Sequence, residues 1–80
     1  MNVAEEVNML VEEIGRLGWQ EGDKFGVTFG TLFADDRVAN IFEALVGTLR
    51  AAKRQEIITY EGELLLQGVH DNHFIELLQK

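Results

Sequence analysis

Cysteine is absent from the chain, and so is serine. Without cysteine there is no disulfide framework and no thiolate chemistry, and a cytosolic address is the natural reading. Without serine, nucleophilic catalysis would fall to four threonines, none of which has a histidine close in sequence. No Gly-Lys-Ser/Thr tripeptide occurs, so no phosphate-cradling loop is encoded. Apolar runs are short, far below the ~20 residues of a membrane-spanning helix. The start, MNVAEEV, lacks the basic opening of a signal peptide, and the mature protein is expected to be the whole chain. Basic residues are scarce as well. Seven Lys and Arg stand against fourteen Asp and Glu, a formal charge of −7.

What remains is globular in composition, 46% hydrophobic and 26% charged over 80 residues. One domain spanning 1–80 is expected, and a chain of this size buries roughly 60% of its unfolded surface. The charge is unevenly spread. Residues 37–54 hold Arg37, Arg50, Lys53 and Arg54 against Glu43 alone, a balance of +3, while the remainder carries −10. A polyanion such as nucleic acid must have several phosphates neutralised at once, and the surrounding acidic field opposes that. A protein partner with an acidic patch suits the pattern better.

The longest helical pattern runs from Asp35 to Arg54. Ile41, Phe42, Leu45, Val46, Leu49 and Ala52 form one apolar stripe, Asp35 and Asp36 stand where an N-cap is needed, and Arg50, Lys53 and Arg54 crowd the last turn. A row of Asn40, Ala44, Gly47 and Ala51 is small at every step, so close packing or a partner is expected to offset the cost of Gly47. An earlier helix from Asn2 to Leu17 places Val3, Val7, Leu10, Val11, Ile14 and Leu17 on one face. Glu5, Glu6, Glu12 and Glu13 read as its solvated side rather than as a paired-carboxylate site. Gly18 is expected to end this helix at positive φ, and Trp19 to Asp23 to form a turn.

Phe25, Val27 and Phe29 alternate with Gly26 and Thr28, which predicts a strand over Lys24 to Phe29. One or two helical turns are expected over Gly30 to Ala34, with Leu32 and Phe33 in the core. Two extended segments fit between Gln55 and Gln67, and a closing strand fits His73 to Gln79. Between them, Gly68 to Asn72 is turn chemistry. His70, Asp71 and His73 contain metal-ligand types, yet a loop pair of histidines without a third fixed ligand is a weak signal, and the blander reading is a polar hairpin tip. No metal and no cofactor is expected.

The order of helix, strand, short helix, long helix and hairpin is that of a winged helix. The expected fold is therefore a small α+β domain with three helices and a short antiparallel sheet. Nucleic-acid binding is the functional alternative that this order invites. It fares poorly, because the leading half of the third helix carries Asp35, Asp36 and Glu43, and no Lys or Arg occurs between Gln55 and Gln79.

A more specific resemblance lies in NIFEALVGTLRAAKR followed by TYEGELLLQGVHD, supported by Phe29-Gly30, Leu32-Phe33 and Asp35-Asp36. In these the chain resembles the costars family, small proteins similar to the C-terminal domain of the actin-binding Rho-activating protein of muscle. The match departs at Trp19 to Lys24 and at His73-Phe74. The resemblance implies a winged-helix-like fold, no catalysis and a role in actin dynamics, with actin or cofilin as partner. A cytoplasmic, cytoskeleton-associated monomer that engages neither nucleic acid nor membrane is expected. The family brings no agreed binding residues, so Arg37, Arg50, Lys53 and Arg54 are candidates on charge and position alone.

Overall fold

The structure is a computed structural model and describes residues 3–62 and 68–78. Helix α1, Val3–Leu17, is driven by Val7, Leu10 and Ile14, which recur at three and four residues and are at most 2% exposed. Burying each is worth about 1.5–3 kcal/mol. The expected cap at Asn2 lies outside the described residues. Glu13 departs from the expected solvated face: its position shares the buried side of α1, and it is only 3% exposed. The helix does end before Gly18, but Gly18 is not at positive φ. Its small size is what matters, since a Cβ there would lie 2.6 Å from the Ile14 carbonyl oxygen and 2.7 Å from that of Gly26.

The stretch expected to be a turn instead forms strand β1, Trp19–Glu21, hairpinned to β2, Lys24–Thr28. Glu21 pairs with Lys24 across Gly22-Asp23, and Gly22 takes the φ of +63° that such a two-residue loop requires. Strands β3, Ile58–Thr59, and β4, Phe74–Leu77, complete an antiparallel sheet in the order β1-β2-β4-β3. Val27 faces Ile75 in the β2 and β4 register, and Ile58 faces Leu77 between β3 and β4. All four side chains are buried beneath the helices. The second extended segment expected around Leu64-Leu65-Leu66 lies outside the described residues.

Helix α2, Phe29–Ala34, begins one residue earlier than the alternation predicts. Thr28 caps it by accepting from the Thr31 N–H, and the Phe29 and Gly30 N–H groups donate to the carbonyls of His73 and Asp71, both at 2.9 Å. Three of its orphan amides are thereby satisfied. The loop before β4 is thus pinned to the start of α2.

The long helix expected from Asp35 to Arg54 is broken. Helix α3, Asp36–Ile41, is capped by the Asp35 carboxylate, which accepts from the Val38 N–H at 3.0 Å. Phe42 is extended, and helix α4, Leu45–Arg54, starts after Ala44. Glu43 and Ala44 are good helix formers, so the cause is not local propensity. Helix α3 packs along α2 whereas α4 packs along α1, and one straight rod would not serve both. Phe42, 6% exposed, is buried at the corner. The outcome among the described residues is an α+β arrangement with four helices, not three, and a four-stranded antiparallel sheet.

Candidate functional site

Leu45, Thr48, Leu49 and Ala52 turn one face of α4 into the core. The opposite face of its last turns then carries Arg50, Lys53 and Arg54 outward, related by three and four residues. These three side chains and Tyr60 line a hollow of about 250 Å³. The Lys53 ammonium lies 4.4 Å from the centre of the Tyr60 ring and donates to the Gly62 carbonyl. A cation on a ring face is worth about 0.5–1 kcal/mol when partly exposed. It also preorganises one of the three charges. Arg50 and Arg54 are exposed and have no ion-pair partner among the described residues.

Arg37 stands apart from this group. It belongs to α3 and lies 3.4 Å from Glu13, within a cluster in which Arg16 also bridges Glu13 at 2.6 Å and Asp35 at 2.7 Å. Hydrogen bonds to Glu13 and then Asp35 raise the Arg16 pKa. The Val38 N–H, followed by Arg16, holds Asp35 below the ordinary aspartate range. This cluster ties α1 to the start of α3. The small-residue row is also dispersed by the helix break. Asn40 sits on α3, Ala44 caps α4, Ala51 is buried, and exposed Gly47 has, among the described residues, only the Ala44 Cβ nearby.

The His70 and His73 rings meet edge to face, with centres 4.8 Å apart. Among the described residues, no group of three or more His, Cys, Asp or Glu could hold a metal ion. Sequence reasoning missed Tyr60, the aromatic wall of the basic hollow. The available signal was its position in Ile57-Ile58-Thr59-Tyr60, directly after the basic helix end. A short strand following α4 must return the chain beside that end.

A small α+β domain carrying a three-cation hollow at the end of one helix is the class that fold and site define. Residues 2–78 match the Costars family. The chain is 69% identical to the Costars family protein ABRACL of Mus musculus and 68% identical to that of Homo sapiens, each alignment covering 99% of both chains. It superimposes on the solution structure of human HSPC280 protein with a TM-score of 0.91 and 67% identity, over 100% of this chain and 95% of that one. This chain belongs to the Costars family.

Proposed function

We propose that this chain is a non-enzymatic, cytoplasmic regulator of the actin cytoskeleton. It binds actin or an actin-binding partner such as cofilin through Arg50, Lys53 and Arg54, with Arg37 as an outlying contributor. The observation that carries the reading is the gathering of three cations around Tyr60 on a chain of net charge −7. Such a patch orients encounter with an acidic surface while the rest of the molecule repels it. The resemblance stated for the sequence supplies the actin context. The strand order β2-β4-β3 behind three consecutive helices supports a winged-helix-like arrangement with an added hairpin strand, β1. The protein acts as a single monomeric unit over 1–80 and engages neither nucleic acid nor membrane. No helix among the described residues is long and apolar enough to cross a membrane.

Cosedimentation with actin filaments, with and without cofilin, tests the reading. The triple variant Arg50→Glu, Lys53→Glu, Arg54→Glu is expected to abolish binding. Its fold should survive, since each charge at a helix C-terminus contributes about 0.3–1 kcal/mol. Undiminished binding by a folded triple variant would place the binding surface elsewhere.

A further inference from the structure

Among the described residues, the helices cover the sheet on one face only. Val27, Ile58, Ile75 and Leu77 are buried beneath them, so Phe74 and Glu76, which alternate with Ile75 and Leu77 on β4, face the other way. Register adds their neighbours. Gly26 and Thr59 flank Glu76 on β2 and β3, and Trp19 flanks Gly26 on β1. Glu21, Lys24, Glu61 and Leu78 each follow or precede one of these by two residues and so share the open face. Leu78 continues the ladder past β4, its N–H donating to the Ile57 carbonyl at 2.8 Å.

The solvated face of an antiparallel sheet ordinarily carries polar side chains. This one carries Trp19, 37% exposed, and Leu78, 47% exposed, with half-buried Phe74 meeting Trp19 edge to face at 6.1 Å between ring centres. Beside Phe74 is a hollow of about 680 Å³ whose lining includes Lys24, Thr59, Glu61 and Glu76. The charge of the face is unbalanced. Glu21, Glu61 and Glu76 stand against Lys24, three carboxylates to one ammonium, a balance of −2. Lys24 is directly opposite Glu21 in the register, and neither Glu61 nor Glu76 is in an ion pair among the described residues. A second copy of a chain carrying −7 would bring like charge to this face, whereas a basic partner would complement it.

We propose that this open sheet face docks a basic amphipathic helix of a partner protein. Phe74, Glu76 and Leu78 stand in line, the second and third at ~7 and ~14 Å from the first by strand rise. Residues i, i+4 and i+8 of a helix form a row at ~6 and ~12 Å, which matches that spacing within side-chain reach. The occupant presents an apolar residue to the Trp19 and Phe74 pair, Lys or Arg to Glu76 four residues on, and a second apolar residue to Leu78. A basic residue flanking the first apolar position reaches Glu61, which the register sets beside Phe74. An extended segment fits worse. Strand β4 lies between β2 and β3, which already occupy its N–H and C=O groups, so a strand laid on the face would bury its own backbone without partners. A helix satisfies its backbone internally. The face lies on the other side of the sheet from α4, so its role does not rest on the acid-binding reading of Arg50, Lys53 and Arg54.

Trp19 is the one tryptophan of the chain, so its emission reports on this face directly. The probes are three synthetic Ala-based peptides of about 18 residues without tryptophan, long enough to hold a helix. The first has Leu at i and i+8 with Arg at i+4 and at the flanks. The second has the same composition with those residues scattered around the helix, and the third is the first with two central prolines, which bar the helix. The first peptide should shift Trp19 emission and bind tightest. Leu78→Ala, at an exposed site, should weaken it about tenfold, and Glu61→Lys, outside the strands, about two- to fivefold. The Arg50, Lys53 and Arg54 triple variant should bind it no more weakly than the wild type, and sedimentation equilibrium of the chain alone should give a monomer. Equal affinity for the first and second peptides, or no effect of either Leu78→Ala or Glu61→Lys, would overturn the docking face. A proline peptide that binds as tightly as the first would rule out the helix. A dimer that Leu78→Ala dissociates would give the face to a second copy, and a triple variant that no longer binds would place the peptide at the end of α4; either result overturns the assignment.

Discussion

A Cβ built on Gly26 would overlap the Ile75 carbonyl oxygen of the neighbouring strand, whereas one built on Gly47 meets only the Ala44 Cβ at 3.8 Å. The two glycines therefore predict opposite outcomes. Gly26→Ala must push β2 off β4 and should lower the melting temperature sharply. Gly47→Ala removes a mid-helix glycine at an exposed site and should stabilise by about 0.5–1 kcal/mol. Thermal denaturation, where ~1 kcal/mol is about 4–8 °C for a domain of this size, checks both. The sequence pattern calls for something to compensate Gly47, and among the described residues no close packing meets it. Gly18 and Gly26 do meet close backbone, a requirement legible only once the hairpin is known. Glu13 was misread for a similar reason. Helical spacing puts it near the apolar face, but its partners Arg16, three residues on, and Arg37, from α3, are visible together only in three dimensions.

Asp35 gives the residue scale a pH dependence. Its folded pKa lies below the ordinary 3.8 because the Val38 N–H, and then Arg16, favour the carboxylate. A depressed carboxylate contributes stability that is fully present above its unfolded pKa and lost as pH falls through the folded value. Asp35→Asn keeps an N-cap oxygen but loses the ion pair with Arg16. The stability gap between wild type and this variant should be present at about pH 6 and shrink toward about pH 3. Urea denaturation at both pH values measures it, and a gap that widens in acid would contradict the assignment.

At the scale of elements, α1, α2, β2 and β4 were legible because each carries its periodicity locally. The break between α3 and α4 was not. Its residues carry no proline or glycine, and the apolar stripe runs on through Phe42 and Leu45 as it would in one continuous helix. What interrupts it is the different packing of α3 and α4, which no local window contains. Strand β1 was hidden too, because its three residues are all exposed and give no alternation. The break carries its own test. Ala44 is the N-cap of α4, with φ −138° and ψ 74° and no side-chain cap bond. Ala44→Asp should stabilise by about 0.5–2 kcal/mol if α4 begins there. Inside a continuous helix the same change would cost up to about 0.7 kcal/mol, so the sign of the shift in denaturation midpoint decides between the two.

For the whole molecule, the relevant property is the separation of charge, and its candidate site was half legible. Arg50, Lys53 and Arg54 were predicted to share a face and do line one hollow; Arg37 lies instead beside Glu13. The acidic remainder has its own consequence for binding kinetics. If the hollow attracts an acidic partner while the remainder repels it, neutralising exposed carboxylates away from the hollow should speed association and leave dissociation unchanged. Glu12→Gln with Asp23→Asn is the suitable variant, since both side chains are exposed and neither lines the hollow. Glu13 is unsuitable, because its buried carboxylate holds Arg16 and Arg37 together between α1 and α3. Added salt screens both effects over a Debye length of about 8–10 Å. The wild type and this variant should therefore converge in association rate at high salt, whereas the Arg50, Lys53 and Arg54 triple variant should stay defective, having lost direct contacts. Stopped-flow association with a synthetic Asp/Glu-rich peptide measures all three. A dissociation rate that changes in the Glu12 and Asp23 variant would mean that these carboxylates touch the partner, and that the binding surface extends beyond the end of α4.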